Sequence, residues 1–211
     1  MSDVRTTPPT EATYESLQRA FVFYNDALFG GALCQCLITI QDQDGSHGYF
    51  IGNRFRTKRG KLLRDEISLN PEDFARSDRR VLSTLVHEMV HLWQHHHGKP
   101  GKDGYHNKEW ASKMEEVGLR PSHTGRPGGK STGYRMSHYI PRTGPFVDAS
   151  RDLQRLGFRF QWVARPRPRR RAPQTRARFT CYQCETNAWA RPSIKLVCGF
   201  CGTPMVITKD I

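Results

Sequence analysis

The sequence predicts an α+β protein that carries a small metal-binding unit near its carboxyl end. Apolar residues recur at helical spacing early in the chain, and short strand-like segments follow before two further helical stretches. Near the end, two Cys-x2-Cys pairs lie thirteen residues apart. Because strands and helices do not alternate one by one, a doubly wound parallel sheet is not expected.

Each predicted element has its own local signal. Residues 11–29 are apolar at three- and four-residue steps, with Thr10 as the predicted N-cap and two glycines as the stop. A second long helix begins near Ser77 and ends at Gly98, and a third covers residues 107–117. A small three-stranded sheet is predicted from short segments at 36–41, 48–51 and 66–69.

Positive charge is concentrated in the second half of the chain. The 211 residues hold 33 Lys and Arg against 20 Asp and Glu, a net charge of +13. Residues 1–118 carry 15 basic and 16 acidic residues, whereas residues 119–211 carry 18 and 4. A polyanionic partner is therefore expected at the carboxyl-terminal half.

The composition also divides the chain. A polar, flexible tail is predicted over 1–10, a folded domain over 11–120 and a Gly-rich, partly packed extension over 121–164. A basic Arg/Pro linker (165–178) and a cysteine-rich unit (179–207) follow. With no run of about 18 apolar residues and no secretory signal, we expect an intracellular protein without membrane spans, in the cytoplasm or nucleoid if it is bacterial or phage-encoded. The oligomeric state is not predicted.

The second helix carries the pattern His87-Glu88-Met89-Val90-His91. Histidines four residues apart lie on one helix face, about 6 Å apart along the axis, so both imidazoles can reach one cation. Glu88 flanks the pair and can hold a water molecule that the metal acidifies. The residue types and spacing therefore indicate a hydrolytic metal site.

A catalytic zinc site needs a third protein ligand and an open fourth position. His95 lies about 12 Å along the helix from His87, and His96 and His97 rotate off the face, so these three are expected to be solvent-exposed. The Gly-rich loop over 98–104 can return the chain and deliver His106, which is the preferred third ligand.

The cysteine pairs predict a second zinc ion. Cys181, Cys184, Cys198 and Cys201 form two knuckles that complete a closed, structural S4 site. Two disulfides are the alternative, but nearby glycines suit zinc knuckles better. Seven arginines lead into this unit, and together with it they predict sequence-independent DNA binding; they are Arg165, Arg167, Arg169, Arg170, Arg171, Arg176 and Arg178. Tyr182, Trp189 and Phe200 are candidates for stacking on unpaired bases.

These motifs together resemble the SprT-like/Spartan family of zinc metalloproteases. The resemblance rests on HEMVH, the third histidine in DGYHNKEW, the upstream YNDALFGGAL, the EISLN strand and the terminal ribbon, across residues 14–118 and 179–205. It implies zinc ligation by His87, His91 and His106, with Glu88 as catalytic base. The implied enzyme is a zinc metallopeptidase of the HExxH type, gluzincin-like or related.

The resemblance also implies the substrate: proteins bound or crosslinked to DNA. Tyr105, Tyr134 and His138 remain open as candidates for stabilising the oxyanion of peptide hydrolysis. A non-catalytic, zinc-stabilised nucleic-acid-binding or regulatory protein is the main alternative, and a metallopeptidase that does not depend on DNA is the third.

Overall fold

The structure is a computed structural model that describes residues 7–165 and 175–208. The chain divides into two compact units, Met1–Arg165 and Pro166–Ile211. In the first unit the elements are α1 (Pro9–Phe29), β1 (Leu37–Ile40), β2 (Gly48–Arg56), β3 (Leu63–Leu69), α2 (Asp78–His97), α3 (Lys108–Glu116), β4 (Arg120–Ser122), β5 (Ser137–Tyr139) and α4 (Pro145–Arg155). The second holds β6 (Ala177–Thr180), β7 (Asn187–Ala190) and β8 (Val206–Thr208).

The three-stranded sheet has β3 at its centre. Strand β1 pairs with β3 in parallel and β2 pairs with β3 in antiparallel fashion, so β1 and β2 are the edge strands. Pairing between β2 and β3 is irregular between Ile51 and Phe55. Most of β3 is buried, as expected for a central strand.

Helix α2 runs through the core of the first unit. Its apolar face, including Leu82, Leu85 and Met89, is fully buried. Ser77 occupies the N-cap position and Gly98 the C-cap, as predicted. At α3 the Asn107 side chain accepts a hydrogen bond from the Trp110 backbone N–H, so the helix begins one residue after the predicted start.

The α+β prediction is confirmed, with differences at the ends of elements. Helix α1 begins at Pro9, inside the segment predicted as a tail, and Pro8 replaces Thr10 at the N-cap, because proline suits the first helical turn. Residues 1–6 of that tail lie outside the described residues. Strand β2 continues five residues beyond its predicted end, since pairing with β3 supports residues that lack an alternating pattern.

The extension over residues 121–164 contains a helix that was not predicted from the sequence. Helix α4 packs on α1, where the Tyr24 hydroxyl lies 2.9 Å from Ser150 Oγ and the Tyr24 ring stacks on Phe146 at 5.6 Å. Phe146 and Leu153 are fully buried. The structure thus groups this extension with residues 11–120 in one compact unit.

The second unit is a small sheet with β6 between β7 and β8, next to a cysteine cluster. This arrangement is compatible with the predicted zinc ribbon. Across the described ranges, 7–165 and 175–208, no helix has both the length and the apolar character to cross a membrane.

Candidate metal centre

Helix α2 places His87 and His91 one turn apart on the same face. Their ring centroids are 5.3 Å apart, and both side chains lie in the wall of a cleft of about 820 Å³. His87 is only 7% exposed, because the apolar face that surrounds it is packed into the core. The helix therefore presents both imidazoles at the boundary between core and cleft.

The loop after α2 delivers His106 to the same point. Glu109 accepts hydrogen bonds from the Gln94 side chain and the Lys99 backbone N–H, both at 2.7 Å, which ties this loop to the end of α2. His106 then forms an isolated antiparallel bridge with Gly133. As a result, His106 Nε2 lies 3.1 Å from His91 Nε2.

The three histidines fit a zinc ion. One ring nitrogen from each of His87, His91 and His106 lies within 4.8 Å of the others. Tetrahedral bonds of about 2.0–2.1 Å would place two such nitrogens about 3.3 Å apart, close to the 3.1 Å between His91 and His106.

Hydrogen bonds fix which nitrogen of His106 can bind a metal. The His106 Nδ1 atom lies 3.1 Å from the carbonyl oxygen of Gly133, which can only accept. The proton is therefore on Nδ1, and Nε2 carries the lone pair that faces His91. Metal-binding histidines commonly donate their other ring N–H to a backbone carbonyl in this way.

A longer chain of hydrogen bonds fixes the tautomer of His87. The Ser83 hydroxyl donates to the Arg80 carbonyl at 2.8 Å, so its oxygen accepts from His138 Nε2 at 2.9 Å. His138 Nδ1 then carries a lone pair, which accepts from His87 Nδ1 at 3.0 Å. This leaves His87 Nε2 unprotonated and available to a metal. No role was predicted for Ser83 from the sequence, and His138 was predicted only as an oxyanion candidate.

Trp110 forms the packing surface behind the three histidines. It is fully buried, and its ring centroid lies 5.1 Å from that of His87, 5.5 Å from His91 and 4.4 Å from His106. A rigid indole in contact with all three rings restricts their rotation. Trp110 was not predicted from the sequence as part of the site, although it lies four positions after His106.

Burial keeps the three imidazoles neutral. It lowers the pKa of His87 well below the ordinary value and lowers that of His91 to about 3, with His106 lowering the latter further. The pKa of His106 is also lowered by burial, against the opposing hydrogen bond to Gly133. Neutral imidazole is the form that binds metals, so the environment favours ligation.

Glu88 lies beside the histidines and lines the cleft. It is 5% exposed, and burial raises its pKa to about 8. A cation held by the adjacent histidines would lower that pKa again and favour the carboxylate. Gly48 on β2 makes room here, because a Cβ at this position would lie 2.7 Å from the Ser68 carbonyl oxygen and 3.4 Å from Glu88 Oε1.

The three oxyanion candidates occupy different positions. Tyr105 and His138 line the cleft. Tyr134 is 62% exposed and packs edge to face on Tyr105 at 5.2 Å. Both ring nitrogens of His138 already form hydrogen bonds within the protein. Tyr105 is 39% exposed, so its side chain is accessible to a substrate in the cleft.

The four cysteines of the second unit also converge. Their sulfur atoms lie within 4.8 Å of one another, and all four are free thiols. Cys184 Sγ is 3.6 Å from Cys198 Sγ, near the 3.8 Å or so expected for two thiolates on a tetrahedral zinc ion. Hydrogen bonds from Thr203 and from the Cys184 backbone lower the pKa of Cys181 to about 6, which favours the thiolate.

The basic segment is described only in part. Arg167, Arg169, Arg170 and Arg171 lie outside the described residues. Arg165 and Arg176 are exposed, and Arg178 donates from Nε to Thr208 Oγ1 at 3.1 Å. The ribbon aromatics are strongly exposed: Phe200 by 93%, Tyr182 by 69% and Trp189 by 62%. They are therefore not the core of this unit.

The fold and the site together define an α+β domain in which His87 and His91 of α2 meet His106 from the following loop in a cluster that could hold a metal ion. The chain belongs to the SprT-like family, whose model matches residues 17–126. An uncharacterised protein in the mucB 3' region of Salmonella typhimurium is 42% identical over 59 residues, which cover 28% of this chain and 80% of that protein. No solved structure matched the chain.

Proposed function

We propose that the protein is a zinc-dependent peptidase that acts on proteins associated with DNA. The observation that carries the proposal is the convergence of three neutral imidazoles beside a buried carboxylate at the wall of one cleft. Family membership supports the metalloprotease part of this proposal. The histidine site lies in the wall of a cleft of about 820 Å³, which is of substrate size.

The residues of the site divide the work of peptide hydrolysis. A bound zinc ion supplies Lewis acidity, which acidifies water and polarises a carbonyl group. Glu88 accepts the proton of the attacking water and returns it to the leaving amine. His138 and Ser83 hold His87 in the metal-binding tautomer.

Tyr105 is our choice for the oxyanion-stabilising group. Tyr105 lines the cleft and is adjacent in sequence to the proposed ligand His106. His138 is less suitable, because both of its ring nitrogens already form hydrogen bonds within the protein. A tyrosine hydroxyl can donate to the developing negative charge. Replacing Tyr105 by phenylalanine should lower kcat about 10²-fold with little change in zinc content, which turnover assays and metal analysis would test.

The second unit is proposed to bind DNA. Its exposed aromatic side chains offer stacking surfaces, and exposed Arg165 and Arg176 belong to the half of the chain with a net charge of +14. Each stacked base is worth about 1–3 kcal/mol, so Phe200→Ala should weaken single-stranded DNA binding about 5- to 150-fold. Phe55→Ala, at an exposed phenylalanine of the first unit, is the matched control.

Cleavage of a DNA-binding protein substrate, with and without DNA, tests the proposed function. We expect DNA-stimulated cleavage by the wild type and none by Glu88→Gln, while Glu115→Gln, the same change at an exposed carboxylate, stays active. DNA binding without cleavage by the wild type would favour the regulatory alternative. Cleavage that DNA does not stimulate would favour a general metallopeptidase.

A further inference from the structure

We propose that Asp65, His95 and His96 form a third metal site, which takes zinc or another borderline divalent transition-metal ion. One ligand atom from each residue lies within 4.8 Å of the others. Two imidazoles and one carboxylate are a ligand set that such ions favour. The site shares no ligand with the proposed catalytic centre or with the cysteine cluster.

The carboxylate of Asp65 is buried and faces both imidazoles. Asp65 lies on β3 and is 4% exposed. Its Oδ2 atom is 2.6 Å from His96 Nε2, and its Oδ1 atom is 3.8 Å from His95 Nε2. Consecutive helix residues diverge by about 100°, so the two histidines approach the carboxylate from two sides.

Strand β2 is shaped to receive the His95 ring. A Cβ at Gly52 would lie only 2.5–2.9 Å from the ring atoms, so His95 occupies the space of the missing side chain. The next residue, Asn53, has a φ of 54° within the irregular part of β2. Its backbone N–H donates to Asp65 Oδ1 at 2.7 Å and orients the carboxylate.

These features exceed what an ordinary aspartate–histidine hydrogen bond requires. The contact between His96 and Asp65 would be complete without a second imidazole directed at the same carboxylate. Tetrahedral zinc would space its ligand atoms by about 3.3 Å, and the observed distances of 2.6 and 3.8 Å lie on either side of that value.

A fourth ligand is available beside the three. The Asn53 side-chain amide lies 3.3 Å from His95 Nε2, and a half-turn of that amide presents its oxygen in place of its nitrogen. An ion at this position would join β2, β3 and the end of α2. The ring centroid of Phe50, on β2, lies 5.6 Å from that of His95 and 6.5 Å from that of His91. The ion would therefore stabilise the strand that borders the cleft.

Metal counting on the full chain tests this site. The protein is stripped of metal, dialysed against excess Zn²⁺ and then a metal-free buffer, and analysed by mass spectrometry of the elements. We expect three ions per chain in the wild type and two in the double variant His95→Gln/His96→Gln. His97→Gln is the matched control, because His97 ends the same helix and contacts the Ala32 carbonyl instead; it should keep three ions.

The counts separate this site from the proposed function. Two ions in both the wild type and the double variant would overturn the third site and leave the other two intact. Two in the wild type and one in the double variant would support the third site and count against one of the other two ions. Three in both would place the extra ion elsewhere and overturn the assignment.

A single variant controls for the lost hydrogen bond. His95→Gln keeps the contact between His96 and Asp65, so a purely structural role of that pair is preserved. We expect this variant to lose the third ion, or to bind it at least tenfold more weakly, with an unchanged circular dichroism spectrum. Retention of the ion with wild-type affinity would overturn the role of His95 as a ligand.

Discussion

Replacing Ser83 by alanine tests whether a chain of hydrogen bonds prepares His87 for metal. The substitution removes the oxygen that accepts the His138 Nε2 proton at 2.9 Å. A buried N–H without a partner costs about 1–3 kcal/mol, so the metal-free protein relaxes by moving that proton to Nδ1 of His138. His87 must then accept at Nδ1 and carry its own proton on Nε2, the atom that should bind zinc.

The cost of that relaxation appears in the zinc affinity. Metal binding has to reverse the tautomer change, so the free energy of binding becomes less favourable by the amount that the metal-free protein gained on relaxing. About 1.4–2.7 kcal/mol corresponds to binding that is 10- to 100-fold weaker, which is the usual effect of losing a group that hydrogen-bonds to a metal-binding side chain. Competition with a chromogenic chelator measures the dissociation constant directly.

Two control variants separate this effect from a general loss of stability. Ser83→Thr keeps the hydroxyl and should bind zinc like the wild type. Ser150→Ala removes another buried serine hydroxyl, which donates to the Phe146 carbonyl at 2.6 Å in α4, away from the metal centre. Wild-type zinc affinity in Ser83→Ala, or an equal loss in Ser150→Ala, would refute the reasoning.

Three further predictions follow from the packing, the charges and the cysteines. Trp110→Phe should lower the free energy of unfolding in urea by about 1–3 kcal/mol, since the indole fills the space behind three histidines. Hydrogen bonds from the Lys99 backbone N–H and the Gln94 side chain lower the pKa of Glu109, so the stabilisation that they provide is present above pH 4.5 or so and is lost as the pH falls through the lower folded value. The stability gap between the wild type and Glu109→Gln should therefore close at acid pH in denaturant titrations, and a gap that widens there would contradict it. Cys184→Ser should unfold the second unit, as chelation should, because a zinc ion on the four cysteines would supply its folding free energy; far-ultraviolet circular dichroism measures this loss of structure.

The sequence predicted the elements whose signals are local. The long helices α1 and α2 repeat their apolar residues over five turns and end at glycines, so their ends were predicted to within two residues. Helix α4 was missed because its apolar residues follow a stretch rich in glycine and proline. Pro145, directly after Gly144, is the signal for its start that could have been read.

The second half of β2 could not have been predicted from the sequence alone. Residues from Gly52 onwards are mostly exposed and polar, so no alternation marks them as a strand. They are extended because β3 supplies hydrogen-bond partners across an irregular pairing, which depends on tertiary structure. That irregularity positions Asn53 against Asp65, which is why the proposed third site was invisible before the fold was known.

The candidate catalytic site divides in the same way, for a chemical reason. Few side chains can bind zinc, so the ligand role restricts positions 87, 91 and 106 to residue types that a sequence displays. The supporting role demands only a hydrogen-bond acceptor at the right point, and the backbone of any residue can provide one, as Gly133 does for His106. His138 reaches His87 across 51 positions of sequence, a distance that no periodicity can report. The residue types of the proposed ligands can therefore be identified in the sequence. A group that fixes a tautomer, such as His138 on β5, can be identified only when the fold brings β5 against α2.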